Sequence, residues 1–216
     1  MRLRKANIFA GILALAMIQS GCTRVITTGI PQSARQAAPI TVDQIGDLHS
    51  NRVKDRDGNQ FITALPEACA GVARELNPPF IVDHHPLATD DGHWTVRFPE
   101  ESVEELTAVY PSDFDAQRAV AGARKVIAGC QDTVLTITTA RKELLHFRMG
   151  PSVPSGSPSI LLWSFSAPDW ACNDAYVAAY NAAIEITACG PAGSANTSTL
   201  AHDALKRIEA LAKNVS

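Results

Sequence analysis

Cysteine, histidine and carboxylate side chains carry most of the chemistry available to this 216-residue chain. The five cysteines stand at 22, 69, 130, 172 and 189, and no two form a Cys-x-x-Cys unit, so their spacing does not suit structural zinc. The densest polar group is Asp83, His84, His85, Asp90, Asp91 and His93. Imidazole and carboxylate are donors for zinc or copper, which makes His84, His85 and His93 the alternative metal ligands. Adjacent residues of an extended stretch point to opposite faces, so His84 and His85 converge only if Pro86 or Gly92 turns the chain; a solvated loop is the plainer reading. Asp55, Asp57 and Gly58 resemble a calcium loop only in outline, because the glycine is at the fourth position and the twelfth-position acid is missing. Gly150-Pro151-Ser152 and Ser155-Gly156-Ser157 lack the Gly-x-Ser-x-Gly elbow of a serine hydrolase. A composition of 46% hydrophobic and 19% charged residues at net charge −3 fits one ordinary globular domain. It lacks the clustered Lys and Arg of a nucleic-acid binder.

Cys22 has its own context. Arg2, Arg4 and Lys5 precede an unbroken apolar run from Ile8 to Ile18, too short to span a bilayer and suited to an export signal. Ser20 and Gly21 then lead into Cys22, which resembles the lipobox of bacterial lipoproteins, with Gln19 where that pattern has leucine. That resemblance implies a signal peptide over 1–21, acylation of Cys22 and anchoring on the extracytoplasmic face of the cell membrane. Removing 1–21 leaves 16 basic against 22 acidic residues, so attachment to an anionic lipid surface would rest on the acyl chains and not on charge. Residues 22–42 contain Pro31 and Pro39 among Thr, Gln, Ala and Ser with no apolar period, and read as a flexible tether before a domain over 43–216.

An exported chain meets an oxidising environment, so Cys69, Cys130, Cys172 and Cys189 read as two disulfides. Val177, Ala179, Ala182, Ile184 and Ile186 share a face if a two-residue turn sits at Tyr180-Asn181. Opposing residues of that hairpin have a constant sum, which sets Cys172 against Cys189 at a non-hydrogen-bonded position, where side chains come closest. Cys69 is left for Cys130. Oxidised sulfur is no nucleophile, which disfavours thiol catalysis.

The elements that would carry these residues alternate along the chain. Pro66 opens a short helix with Leu65, Cys69, Val72, Ala73 and Leu76 on one stripe. Strands are expected at 80–83, 93–98, 103–110, 133–139, 144–149 and 160–166. A helix capped by Ser112 and Asp115 runs to Gly129, with positions 116, 119, 120, 123, 126 and 127 apolar, and a last helix carries Ala201, Ala204, Leu205, Ile208, Leu211, Ala212 and Val215. Consecutive strands with short connections imply an α+β fold, a mainly antiparallel sheet with a few packed helices. On the hairpin, Asp174, Tyr176 and Glu185 share the cystine's face and are the candidate ligand-binding residues of a polar cleft wall.

The order of these features is itself informative: a helix with Cys69, a strand into Tyr110-Pro111-Ser112, a helix to Cys130, Trp170-Ala171-Cys172, then Thr187-Ala188-Cys189-Gly190 and a terminal helix. It resembles the PknH-like sensor domain, the extracellular part of a mycobacterial transmembrane serine/threonine kinase that also occurs in stand-alone envelope lipoproteins. The resemblance covers about residues 40 to 215. It implies an α+β fold with the same two disulfides and a cleft for an extracellular ligand. These residues hold no kinase catalytic segment. The function to expect is that of a lipid-anchored extracytoplasmic ligand-binding or sensor-like domain. It would be non-enzymatic and cofactor-free, with a small-molecule or envelope ligand, or a receptor-kinase ectodomain, as partner. The alternative is an envelope hydrolase or metal-binding protein using the cluster at 83–93.

Overall fold

The computed structural model describes residues 38–55, 60–97, 100–191 and 196–213. The expected signal peptide, Cys22 and the Asp57-Gly58 turn lie outside them. Eight strands form one antiparallel sheet: β1 (Phe61–Leu65), β2 (Ala88–Arg97), β3 (Glu100–Val109), β4 (Val134–Thr139), β5 (Leu144–Met149), β6 (Ile160–Ala167), β7 (Trp170–Ala179) and β8 (Ala182–Gly190). Their order across the sheet is β1-β4-β5-β6-β7-β8-β3-β2. Three α-helices, α1 (Pro79–Val82), α2 (Ala116–Gly129) and α3 (Thr197–Lys213), and two 3₁₀ helices, Val42–Leu48 and Glu67–Val72, cover it. The expected α+β architecture is the one observed.

Each face of the sheet has its own core. On one face α1, α2 and the 3₁₀ helix at Cys69 lie over Phe147, Phe165, Trp163, Tyr176 and Cys172. On the other, Ala201, Ala204, Ile208 and Ala212 of α3 pack on Ala175, Val177, Ile184 and Ile186. The β7–β8 register pairs Ala179 with Ala182 and Cys172 with Cys189, as the Tyr180-Asn181 turn requires. Both expected disulfides are formed, Cys69–Cys130 with Cα atoms 5.8 Å apart and Cys172–Cys189 at 4.1 Å. At the turn, Asn181 Nδ2 donates to the carbonyls of Ile40 and Tyr110, and Asn181 Oδ1 accepts from Ile40 N, each within 2.9 Å. This knot draws the start of the domain into the fold: Ile40 is buried and Ala38 N donates to Ala212 O. Ala38 and Ile40, within the stretch read as tether, are thus held against the domain.

Other local expectations are corrected. Residues 80–82 lie in the single turn α1, with Asp83 at its C-cap, and not in a strand, because Pro79 presets a helical φ at the first position and Pro78 O accepts from Ile81 N and Val82 N. Leu65 belongs to β1 and is exposed, as is Leu76; the buried apolar residues of that segment are Cys69, Ala70 and Val72 of the 3₁₀ helix and Ala73 at its end. There Gly71 lies so close to Phe80 that a Cβ would come within 2.6 Å of its ring. Asp115 caps α2 itself, accepting from Arg118 N at 2.9 Å, so the Ser112 capping box is not the start of that helix.

The two bridges close loops of unequal length. The Cys69–Cys130 bridge spans 61 residues and the Cys172–Cys189 bridge 17. Chain entropy then gives about 4 kcal/mol for the longer loop and about 3 for the shorter. Denaturant unfolding of the Cys69→Ala/Cys130→Ala and Cys172→Ala/Cys189→Ala double variants should show the first as the less stable.

Candidate functional site

A cleft of about 680 Å³ opens where the tips of three hairpins meet. Thr95, Glu100 and Ser102 come from the β2–β3 arm, Thr139, Ala140, Arg141 and Glu143 from the β4–β5 turn, and Ala167, Asp169 and Trp170 from the β6–β7 turn. Phe61 and Phe147, both buried, are its aromatic floor, and half-buried Trp170 is its wall. Gln60 Nε2 donates to Ser102 Oγ at 3.1 Å, tying the β1 arm to the β3 arm across the space. Phe61, Phe147 and Phe165 pack edge to face or tilted at 5.3 to 6.2 Å, so the floor is rigid. Arg141, Glu143, His146 and Asp169 are exposed around it. An apolar aromatic floor with charged groups of both signs at the rim suits an amphipathic ligand held by shape and a few polar contacts.

The cleft backs onto a buried carboxyl cluster. Strand alternation places Ser102, Glu104 and Leu106 of β3 on one face, paired in register with Cys189, Thr187 and Glu185 of β8. Beside these lie Asp174 and Tyr176 of β7, opposite Thr187 and Glu185. Glu75, just after the Cys69 helix, closes over them and is clamped to the cleft floor: its Oε2 accepts from Phe61 N at 2.8 Å and its N donates to Phe61 O at 2.9 Å. Thr187 Oγ1 donates to Asp174 Oδ1 at 2.7 Å. Asp174 Oδ2, Glu185 Oε2 and the Tyr176 hydroxyl are buried without a partner. The space among Glu75, Glu104, Glu185, Thr187 and Pro78 is about 10 Å³, the size of one water. Burial, reinforced by Glu104, raises the Glu75 carboxyl to about 8. Burial also holds Asp174 and Glu185 well above the carboxylate range, with Glu75 adding to each, and Arg74 opposing it only at Glu185. Burial thus favours the protonated form of all three acids.

The structure therefore brings Asp174, Tyr176 and Glu185 together, but under the floor and not along the cleft. The histidines are dispersed. His84 packs edge-on against Phe114 and Tyr110 at 5.7 and 6.4 Å, and burial lowers its pKa; His85 is exposed; and His93 Nε2 lies 3.7 Å from Asp55 Oδ2. Asp90 turns to the opposite face of the sheet, 3.2 Å from His49 Nε2. Among the described residues no three His, Cys, Asp or Glu side chains are grouped to hold a metal ion. Sequence reasoning missed Glu75, Glu104 and the cleft lining. The inward alternation of β3 was the signal for Glu104, whereas Glu75 sits in an irregular connection with none.

A carboxyl that is raised in the folded state binds a proton that the unfolded chain releases near pH 4.3 (about). Its stabilising effect is complete below that pH and is lost as pH rises through about 8 for Glu75. The thermal midpoint should therefore fall between pH 5 and pH 8. Glu75→Gln, which keeps an acceptor for Phe61 N, should make that fall shallower when melting is followed by circular dichroism.

A family model described as the PknH-like extracellular domain matches residues 30–207. Among solved structures, the crystal structure of the extracellular domain of PknH from Mycobacterium tuberculosis matches with a TM-score of 0.64 at 15% sequence identity. That match covers 82% of this chain and 100% of that one. At this identity the likeness establishes the fold. No curated protein sequence matches. With most of its length inside the family model and the same fold in a solved relative, the chain belongs to the family of PknH-like extracellular domains.

Proposed function

We propose that this protein is a lipid-anchored, extracytoplasmic ligand-binding domain that works without catalysis, and that the cleft at the hairpin tips is its binding site. The observation that carries this reading is the cleft itself, an aromatic floor of Phe61 and Phe147 with Trp170 beside it and the Gln60–Ser102 hydrogen bond across it. Family membership supports an exported protein and a role in sensing, and no helix of the described residues is long and apolar enough to cross a membrane. Attachment then falls to Cys22, through acyl chains after removal of residues 1–21. A bound ligand would reach signalling through a partner such as a receptor-kinase ectodomain of the same family. The hydrolase or metal-binding alternative gains no support from the dispersed His84, His85 and His93.

Two measurements test the reading. A radioactive fatty acid should label the exported chain and leave a Cys22→Ala form unlabelled; equal labelling of both would end the lipid-anchor proposal. Envelope extract should raise the melting temperature of the wild-type protein and not of Trp170→Ala, because a ligand that binds only the folded state stabilises it by mass action. Mass spectrometry of what the wild type retains would identify the ligand. An equal shift in both proteins would remove the cleft from the proposal.

A further inference from the structure

The ladder between β5 and β6 stops after two pairs, Arg148 with Ser166 and Met149 with Phe165. Gly150 N donates to Ser164 O at 2.7 Å, which fixes the phase: in an antiparallel pair the bonded positions recur every second residue, at Gly150, Arg148 and then His146. The residue that would face His146 is Pro168, which has no N–H to give, and there β6 turns through Asp169 into β7. β5 continues to Leu144 with only β4 beside it, Leu145 facing Ile137 and Leu144 facing Thr138. Met149 N donates to Thr133 O on the β4 side. By alternation Phe147 and Leu145 also bond toward β4, while the N–H and C=O of His146 and Leu144 point into the cleft.

The cleft thus contains half of an open strand edge, inside the sheet and not at its border. Such an edge is a template for another chain, since its donors and acceptors repeat at the spacing of a polypeptide backbone. A sugar or an acyl chain carries no matching array. The side chains of an added strand alternate, so every second one would descend onto the floor of Phe61, Phe147 and Trp170. Leu145, half-buried in the cleft lining on the same face of β5 as Phe147, extends that apolar track.

We infer that the cleft takes an extended peptide segment of a partner protein, which adds as a strand to β5 along Leu144–His146 with apolar side chains at alternate positions. This inference rests on the cleft being the binding site. A random heptapeptide library displayed on phage is panned against the full-length chain in detergent micelles, and the best binder is synthesised plain and N-methylated on either alternate set of residues. One methylated set should bind about tenfold more weakly, the effect of losing one or two hydrogen bonds, and the other set should bind like the plain peptide. Bound peptide should slow amide exchange at His146. His146→Pro removes an N–H that faces the cleft and not β4, and with it the 3.2 Å contact of His146 Nδ1 with Thr136 Oγ1, so it should weaken binding by a similar factor relative to His146→Ala, which loses that side-chain contact alone. A binder that depends on Trp170 but is indifferent to both methylations, with His146 exchange unchanged, overturns strand addition and leaves the cleft reading standing. So does a library without binders when a glycan or lipid from the envelope stabilises the protein in a Trp170-dependent way. A binder indifferent to Trp170→Ala overturns the cleft reading itself.

Discussion

Every residue of β8 from Ala182 to Gly190 is buried, and its partner β7 is buried from Asp174 to Ala178. A hairpin covered on both faces demands two layers, and the remaining elements are arranged to supply them. Small side chains make this feasible: Ala175, Ala182, Ala183 and Ala188 let α3 and the helices of the opposite face approach closely. The ends of the hairpin are then fixed by two different devices. Asn181 ties the turn to Ile40 and Tyr110 by hydrogen bonds, and the Cys172–Cys189 bridge ties the open end covalently. Burial costs polar groups in this slab their hydration, which is why Asp174 takes a hydrogen bond from Thr187 and its carboxyl favours the protonated form.

The two sides of the sheet end differently. Over α3 the polar residues of β3 are fully engaged: Arg207 donates to Glu105 at 2.8 Å, Ser50 N donates to the other Glu105 oxygen at 2.7 Å, and His49 lies between Glu105 and Asp90. On the opposite face the helices cover only the middle, so the tips of three hairpins project past the core and leave the cleft among them. Pro168 sharpens this asymmetry by stopping one ladder while its neighbours run on. Among the described residues, the cleft is a product of strand lengths and one proline.

Strong periodicity made much of this legible in the chain. The sum rule at Tyr180-Asn181 located the hairpin and its cystine, and the apolar positions of α2 and α3 set which sides face inward, with Ala119, Val120, Ala123 and Ile127 buried on one and Ala201, Ala204 and Ile208 on the other. Short elements were harder. Phe80 to Asp83 is apolar enough for a strand, yet Pro78-Pro79 starts a turn of helix there. β1 is five residues on a sheet edge with an irregular register and carries little pattern. The depth of the hairpin's polar residues was illegible for a related reason. Asp174, Tyr176 and Glu185 were correctly given one face, but alternation does not reveal which part of a face is roofed. That depended on Glu75, whose position follows from the irregular chain after Val72.

The protons held beneath the cleft floor change what the protein's charge means. The sequence counts −3 at pH 7 and an isoelectric point near 6.1, with Glu75, Asp174 and Glu185 all taken as anions. In the folded state burial favours the protonated form of each, so the protein is less negative than the formal count of the whole chain. The native protein is thus more weakly repelled by other anions than its composition suggests, and an isoelectric point calculated from composition belongs to the unfolded chain.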